Sequence, residues 1–209
     1  MKTTDKITRL NRFTTLPVLL DLLERKKLVL LDPKSWDDKN DTEVIEAYKR
    51  KAKIANLFAL CFVDDYETIH HWKTFSNGSS GCCIQFDAEM LFEIFNKTKG
   101  LRHGKVDYKK IKELDSPTFD LKKMPFTKRQ PYECEKEYRI IWEGKTDANV
   151  FELDVPLNSI NRITLSQQMP EQVFETIKKL LQTTFKDPEK RISRSTIYEN
   201  KRWINYFKK

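Results

Sequence analysis

The stretch "YECEKEYRIIWEG", residues 132–144, sets Glu133, Glu135, Glu137 and Arg139 at alternate positions. Alternate residues of an extended chain share a face, so a strand starting at Tyr132 would project these charges together. Carboxylates placed in this way could hold a hydroxyl and lower the barrier of a reaction that develops positive charge. They could equally form ion pairs with Arg139 and nearby lysines, and the residues leave both readings open. Lys136 between them echoes the (D/E)-x-K element of a metal-dependent nuclease, but alternation puts it on the opposite face.

Other chemistry-bearing residues lie far from this stretch in sequence. Arg12 in "RLNRFTT" offers a planar fork that suits a phosphate or a carboxamide. Thr14 could hydrogen-bond such a group or cap a helix, the cap being the plainer reading. In "HHWKTF", Trp72 and Phe75 could line a pocket by stacking or form the core face of a helical turn. Asp37, Asp38 and Asp41 in "WDDKND" could position a substrate or cap the following helix. Asp38 could also pair with Arg12 or Arg139. This loop lacks the glycine and terminal glutamate of a calcium loop. His70, His71 and Cys61 lack the spacing of a ligand set, and no metal is expected. These charged and aromatic residues fall on or beside core elements, which predicts that Arg12, Trp72, Glu135, Glu137, Arg139 and the Asp37–Asp41 loop meet in one concave site.

The elements that would position them follow from periodicity and punctuation. "TTLPVLLDLLERKKL" carries Leu16, Leu19, Leu20 and Leu23 at helical spacing and ends on basic residues, as a helix C-terminus prefers. "DTEVIEAYKRKAKIA", "ETIHHWKTF", "AEMLFEIF" and "PEQVFETIKKLLQTTF" are the other predicted helices. "LVLLDP", "NLFALCFV", "GCCIQFD", the 136–142 stretch, "VFELDV", "NRITLS" and "RISRS" are predicted strands. "SNGSSG" and a long stretch from about Glu113 to Pro131 read as loops. Helices and strands alternate irregularly, and no Gly-rich dinucleotide turn appears. The expectation is one α+β domain over residues 1–209, with a mixed or antiparallel sheet core flanked by helices.

Bulk properties bound the function. The chain has 209 residues and a net charge of +8. It has no apolar run of bilayer-spanning length and no secretory signal, so a cytoplasmic protein without membrane contact is expected. Four cysteines, Cys61, Cys82, Cys83 and Cys134, form no CxxC pair and read as reduced thiols. Residues 97–129 hold eleven Lys or Arg against four Asp or Glu. The tail from Glu189 to Lys209 is also basic. Such surfaces attract nucleic acid, or simply keep a protein soluble.

Four stretches together resemble the bacterial domain of unknown function family 2971. They are "LLDPKSWDDKND", "LCFVDDYETIHHWKTFSNGSSGCCIQFD", "KVDY" and "YECEKEYRI". They follow that family's order of an acidic loop, a CFS…W…GxCIxFD block, v-x-Y and E-x-E-[WYF]-R. Asp37-Asp38 stands where N-D is usual, Val63 replaces Ser and Lys39 replaces Pro, which marks a variant branch. The pattern in turn resembles ADP-ribosyltransferases, with an Arg on a first strand and a Glu on a later one within E-x-E. That resemblance implies NAD as co-substrate, no metal, and a nucleic acid (RNA or DNA) or protein acceptor, in phage defence or a toxin system. It also implies Glu137 and Glu135 as catalytic residues, Glu137 toward NAD and Glu135 toward the acceptor. Arg12, Thr14, Trp72 and Arg139 would bind the cofactor, and Asp37, Asp38 and Asp41 would position the substrate. The alternative is a non-catalytic or nuclease-like nucleic-acid module using the 97–129 segment and the tail.

Overall fold

A computed structural model describes residues 6–76, 78–114, 120–186 and 191–208. Residues 115–119 of the basic stretch, Asn77 of the predicted loop, and 189, 190 and 209 of the tail lie outside the described residues. In chain order the elements are β1 (Arg9–Thr15), α1 (Leu16–Arg25), β2 (Lys27–Leu31), α2 (Lys39–Ala52), β3 (Asn56–Val63), α3 (Ile69–Phe75), β4 (Gly81–Asp87) and α4 (Ala88–Lys97). There follow β5 (Leu101–Lys105), β6 (Asp107–Lys109), β7 (Thr127–Arg129), β8 (Glu137–Gly144), β9 (Val150–Asp154), β10 (Ile160–Leu165), α5 (Glu171–Phe185), β11 (Arg191–Arg194) and α6 (Lys201–Phe207). The fold class is α+β, with strands paired mainly antiparallel.

The chain divides into two compact units, each drawn from separated segments. The first comprises Met1–Lys26, Asp65–Ala88 and Pro156–Lys209. Its strands run in the order β11, β10, β4, β1. The β1–β4 pair is antiparallel throughout, from Arg9 opposite Asp87 to Thr15 opposite Gly81. β10 and β11 are parallel, which requires a crossover, and α5 supplies it. Leu10, Leu19, Ile84, Phe86, Ile163 and Leu181 are among its most deeply buried apolar side chains.

The second unit comprises Lys27–Asp64 and Glu89–Val155. Its sheet runs β9, β2, β3, β8, β5 with every pair antiparallel. β3 and β8 face each other from Asn56 opposite Gly144 to Val63 opposite Glu137. Helix α2 lays Ile45 and Tyr48 on Leu57, Ala59 and Ile141 to form one apolar cluster. Because side chains alternate along β8, Glu137 and Arg139 share the face of Ile141. The amphipathic pattern of α2 therefore decides which residues of β8 are covered.

Two backbone features correct the sequence reading. β8 begins at Glu137, because 130–135 form a 3₁₀ segment and Lys136 takes a left-handed conformation at φ 46°. The acidic positions before Glu137 are thus not on the strand. Thr14 is a buried β1 residue opposite Cys82, and Thr15 precedes α1 without a side-chain cap bond. Among the described residues the non-glycine positions at positive φ are Lys26, Lys53, Lys136 and Lys186. Lys26, Lys53 and Lys186 close α1, α2 and α5.

Candidate active site

Arg139 organises the buried charges of the second unit. Its Nε donates to Glu137 Oε1 at 2.6 Å, and Nη2 donates to Glu137 Oε2 at 3.0 Å. Nη1 and Nη2 grip Asp41 at 2.9 and 2.6 Å, and Nη1 also donates to the Pro125 carbonyl at 2.8 Å. These contacts use all five guanidinium N–H groups. The Trp36 ring covers the guanidinium, its centroid 4.8 Å from Cζ. Asp41 lies in the first turn of α2, where the helix dipole favours an anion.

Lys128 of β7 closes the cluster. Its ammonium lies 2.6 Å from Glu135, 3.6 Å from Glu137 and 3.7 Å from Asp41. It also stacks over the Tyr132 ring, 4.7 Å from the centroid. The Glu137 backbone N–H donates to the Tyr108 hydroxyl at 2.9 Å. Three carboxylates therefore face two cations in a buried setting.

The two glutamates respond to this setting in opposite ways. Burial raises the Glu135 carboxyl above its ordinary 4.5, and the Lys128 charge only partly opposes it. Burial acts on Glu137 too, but the charge and hydrogen bonds of Arg139, with Lys128 behind them, bring its carboxyl below 4.5. Lys128 is held above its ordinary 10.5 because Glu137 and Glu135 outweigh its burial. Cys61, opposite Arg139 in the β3–β8 register, has its thiol pushed well up by burial and by the Glu137 charge. It stays a protonated donor, which helps hold Glu137 anionic.

Of the residues singled out in the sequence, Asp41, Glu135, Glu137 and Arg139 are brought together. Asp41, rather than Asp38, pairs with Arg139. Asp37 is exposed, and Asp38 caps α2 by accepting from the Asn40 N–H at 3.0 Å. The second Asp38 carboxylate oxygen is buried without a hydrogen-bond partner. Arg139 has no N–H left for a cofactor, so its role here is to hold carboxylates. Lys136 is half exposed and turns toward Glu133 at 3.9 Å, which leaves it outside the cluster.

Arg12, Thr14 and Trp72 belong to the first unit. Arg12 and Thr14 share one face of β1, whereas Phe13 projects from the other. Trp72 packs edge-on against Phe13 at 5.4 Å, and its indole N–H donates to Glu67 at 2.7 Å. It is buried at 5% exposure and stands with Phe13 rather than with Arg12 and Thr14. Cys82, opposite Thr14, is pushed up to about 12 by burial, with the Arg12 charge opposing.

Lys128, Tyr108 and Trp36 were not singled out in the sequence, and Cys61 was weighed there only as a metal ligand. Lys128 lies in a stretch read as loop, and no local spacing ties it to Glu135. Tyr108 falls within "KVDY", so only the resemblance flagged it. Among the described residues, no group of three or more His, Cys, Asp or Glu could hold a metal ion. No helix among them is long and apolar enough to cross a membrane.

No protein-family model matches the chain, and no curated protein matches it. Three solved structures resemble it, all of Thermus sp. 2.9 DarT. The complex with ADP-ribosylated ssDNA shares 14% identity over 96% of this chain and 100% of that chain, at a TM-score of 0.47. The complex with NAD+ shares 14% over 95% and 100%, at 0.45. The complex with carba-NAD+ shares 11% over 93% and 99%, at 0.43. Likeness at this level assigns neither a family nor an activity.

Proposed function

We propose that this chain is an NAD-consuming enzyme of the ADP-ribosyltransferase type, acting on a nucleic-acid or protein acceptor through Glu137 and Glu135. One observation carries the reading. The two carboxylates share the Lys128 ammonium, while their surroundings move their carboxyl groups in opposite directions. Acid–base assignments in active sites are built from such divergence. Glu137, kept anionic, would hold the ribose hydroxyl and stabilise the oxocarbenium-like carbon as the nicotinamide bond breaks. Glu135, which keeps its proton more tightly, would orient and then deprotonate the acceptor.

Arg139, Asp41 and Lys128 act as positioning residues in this scheme. Asp37 and Asp38, on the loop and cap that lead into α2, are proposed for the substrate. A buried ionic cluster adds little net stability over an apolar one of equal volume, so its presence supports a chemical role.

The full engagement of Arg139 favours a second reading, in which the cluster is purely structural. Nicotinamide release from NAD, assayed with single-stranded DNA, RNA and protein acceptors, separates the two. Under the enzymatic reading Glu135→Gln still folds cooperatively, with only a small change in melting temperature, and loses turnover by orders of magnitude. Unchanged turnover in folded Glu135→Gln and Glu137→Gln, or no turnover in the wild type with any acceptor, sinks that reading.

A further inference from the structure

Helix α6 spends none of its aromatic side chains on the fold. Trp203, Tyr206 and Phe207 are 68%, 73% and 68% exposed. They nevertheless form one patch, with Phe207 5.2 Å from Trp203 and 5.0 Å from Tyr206 between ring centroids. Their spacing of three and four residues puts them on one side of the helix. A seven-residue helix is marginal alone in water, so something else must hold it.

Polar grips on the preceding backbone do so. The Gln167 side-chain oxygen accepts from the Tyr198 and Glu199 N–H groups at 2.8 and 3.2 Å. Asn200 caps the helix by accepting from the Trp203 N–H at 3.0 Å, and its amide donates to Thr196 Oγ1 at 3.1 Å. The segment is fixed while its rings stay open to solvent. Beside them runs a groove of about 860 Å³ whose walls include Glu67, Tyr198, Glu199, Arg202 and the three aromatics. Glu67 is already engaged by the Trp72 N–H and the Ser195 hydroxyl.

The charges around the patch identify its occupant. Lys201, Arg202 and Lys208 flank the rings on α6 and at its end, and α6 carries no acidic residue. None of the three cations has an ion pair among the described residues. A second copy of the helix would bring like charges together. Two helical turns offer little apolar area for a lipid surface. Solvent-open aromatics beside unpaired cations match a strand that presents base faces and phosphates alternately. We infer that α6 and the adjoining groove form a binding platform for single-stranded nucleic acid, independent of the carboxylate chemistry proposed above.

The test is fluorescence anisotropy of labelled oligothymidine and oligouridine with the full chain, at about 50 and about 200 mM salt. Single strands should bind more tightly than a duplex of equal length. The Trp203→Ala, Tyr206→Ala double variant should raise Kd about tenfold or more with an unchanged circular dichroism spectrum. Lys201→Ala with Lys208→Ala should flatten the salt dependence. The DNA and RNA arms tell which sugar is preferred. Equal affinity in the folded aromatic variant overturns the inference, as does equal binding of duplex. So would dimerisation through α6, or adsorption to phosphatidylserine vesicles without oligonucleotide binding.

Discussion

Arg139 holds two buried carboxylates, so its loss should be costly. Replacing it with Met leaves Asp41 and Glu137 buried with Lys128 as the remaining cation of the cluster, which should cost about 3–5 kcal/mol. Denaturant unfolding measures this. Glu137→Gln is gentler, since the amide keeps one acceptor for the guanidinium, and should cost about 1–3 kcal/mol. Glu135→Gln, bonded to Lys128 alone among these cations, should cost less still. The pH response follows the same contacts. The Glu137 carboxyl lies below its ordinary value when folded, so its contribution is complete above about 4.5 and is lost as pH falls through the folded value. Glu135 lies above its ordinary value, so its carboxylate works against the fold once pH rises past that value. Stability of Glu135→Gln relative to wild type should therefore increase from pH 4 toward neutrality, as measured by melting temperature across a pH series.

At the scale of elements, turn geometry makes one glycine hard to replace. Gly100 follows α4 at φ 80°, and a Cβ there would meet the Glu143 carbonyl at 2.6 Å. Its own carbonyl accepts from the Glu143 N–H at 2.8 Å. Gly100→Ala therefore combines strain with a backbone clash and should cost about 2–3 kcal/mol, read by thermal unfolding. Much of the element pattern was legible in the sequence. β3 and β4 fall where "NLFALCFV" and "GCCIQFD" put them, because continuous apolar runs between turn signals announce buried strands. β5 escaped because "LRHGK" is polar, although Trp142 and Ile141 partner it across β8. α6 escaped because "KRWINYFKK" reads first as a basic tail, although Trp203, Tyr206 and Phe207 recur at helical spacing. The cluster was half legible. Glu137 and Arg139 meet through strand alternation, as read. Glu135 joins them through a 3₁₀ turn and Lys128 through β7, and neither contact leaves a local spacing.

The whole molecule is assembled from interleaved pieces of chain, and this shapes how it should respond to cutting. The unit containing β1 and β4 receives β10, α5, β11 and α6 from the last third of the sequence. A fragment ending at Val155 would expose the β4 edge and the apolar faces that α5 and β10 cover. It should fail to give a cooperative melt and should aggregate through that edge, observable by light scattering. The charge of +8 acts at this scale as well, favouring encounter with polyanions whatever their sequence.

The lysines that close α1, α2 and α5 open a route to engineering. A left-handed turn burdens any side chain with a Cβ, and glycine is free of it. Lys26→Gly, Lys53→Gly and Lys186→Gly should each add about 0.5 kcal/mol after loss of the terminal cation and the added freedom of the unfolded chain are counted. None of these lysines touches the Arg139 cluster or the α6 platform. A triple variant would therefore provide headroom of about 1–2 kcal/mol, a background in which site substitutions that would otherwise weaken the fold can be assayed for chemistry.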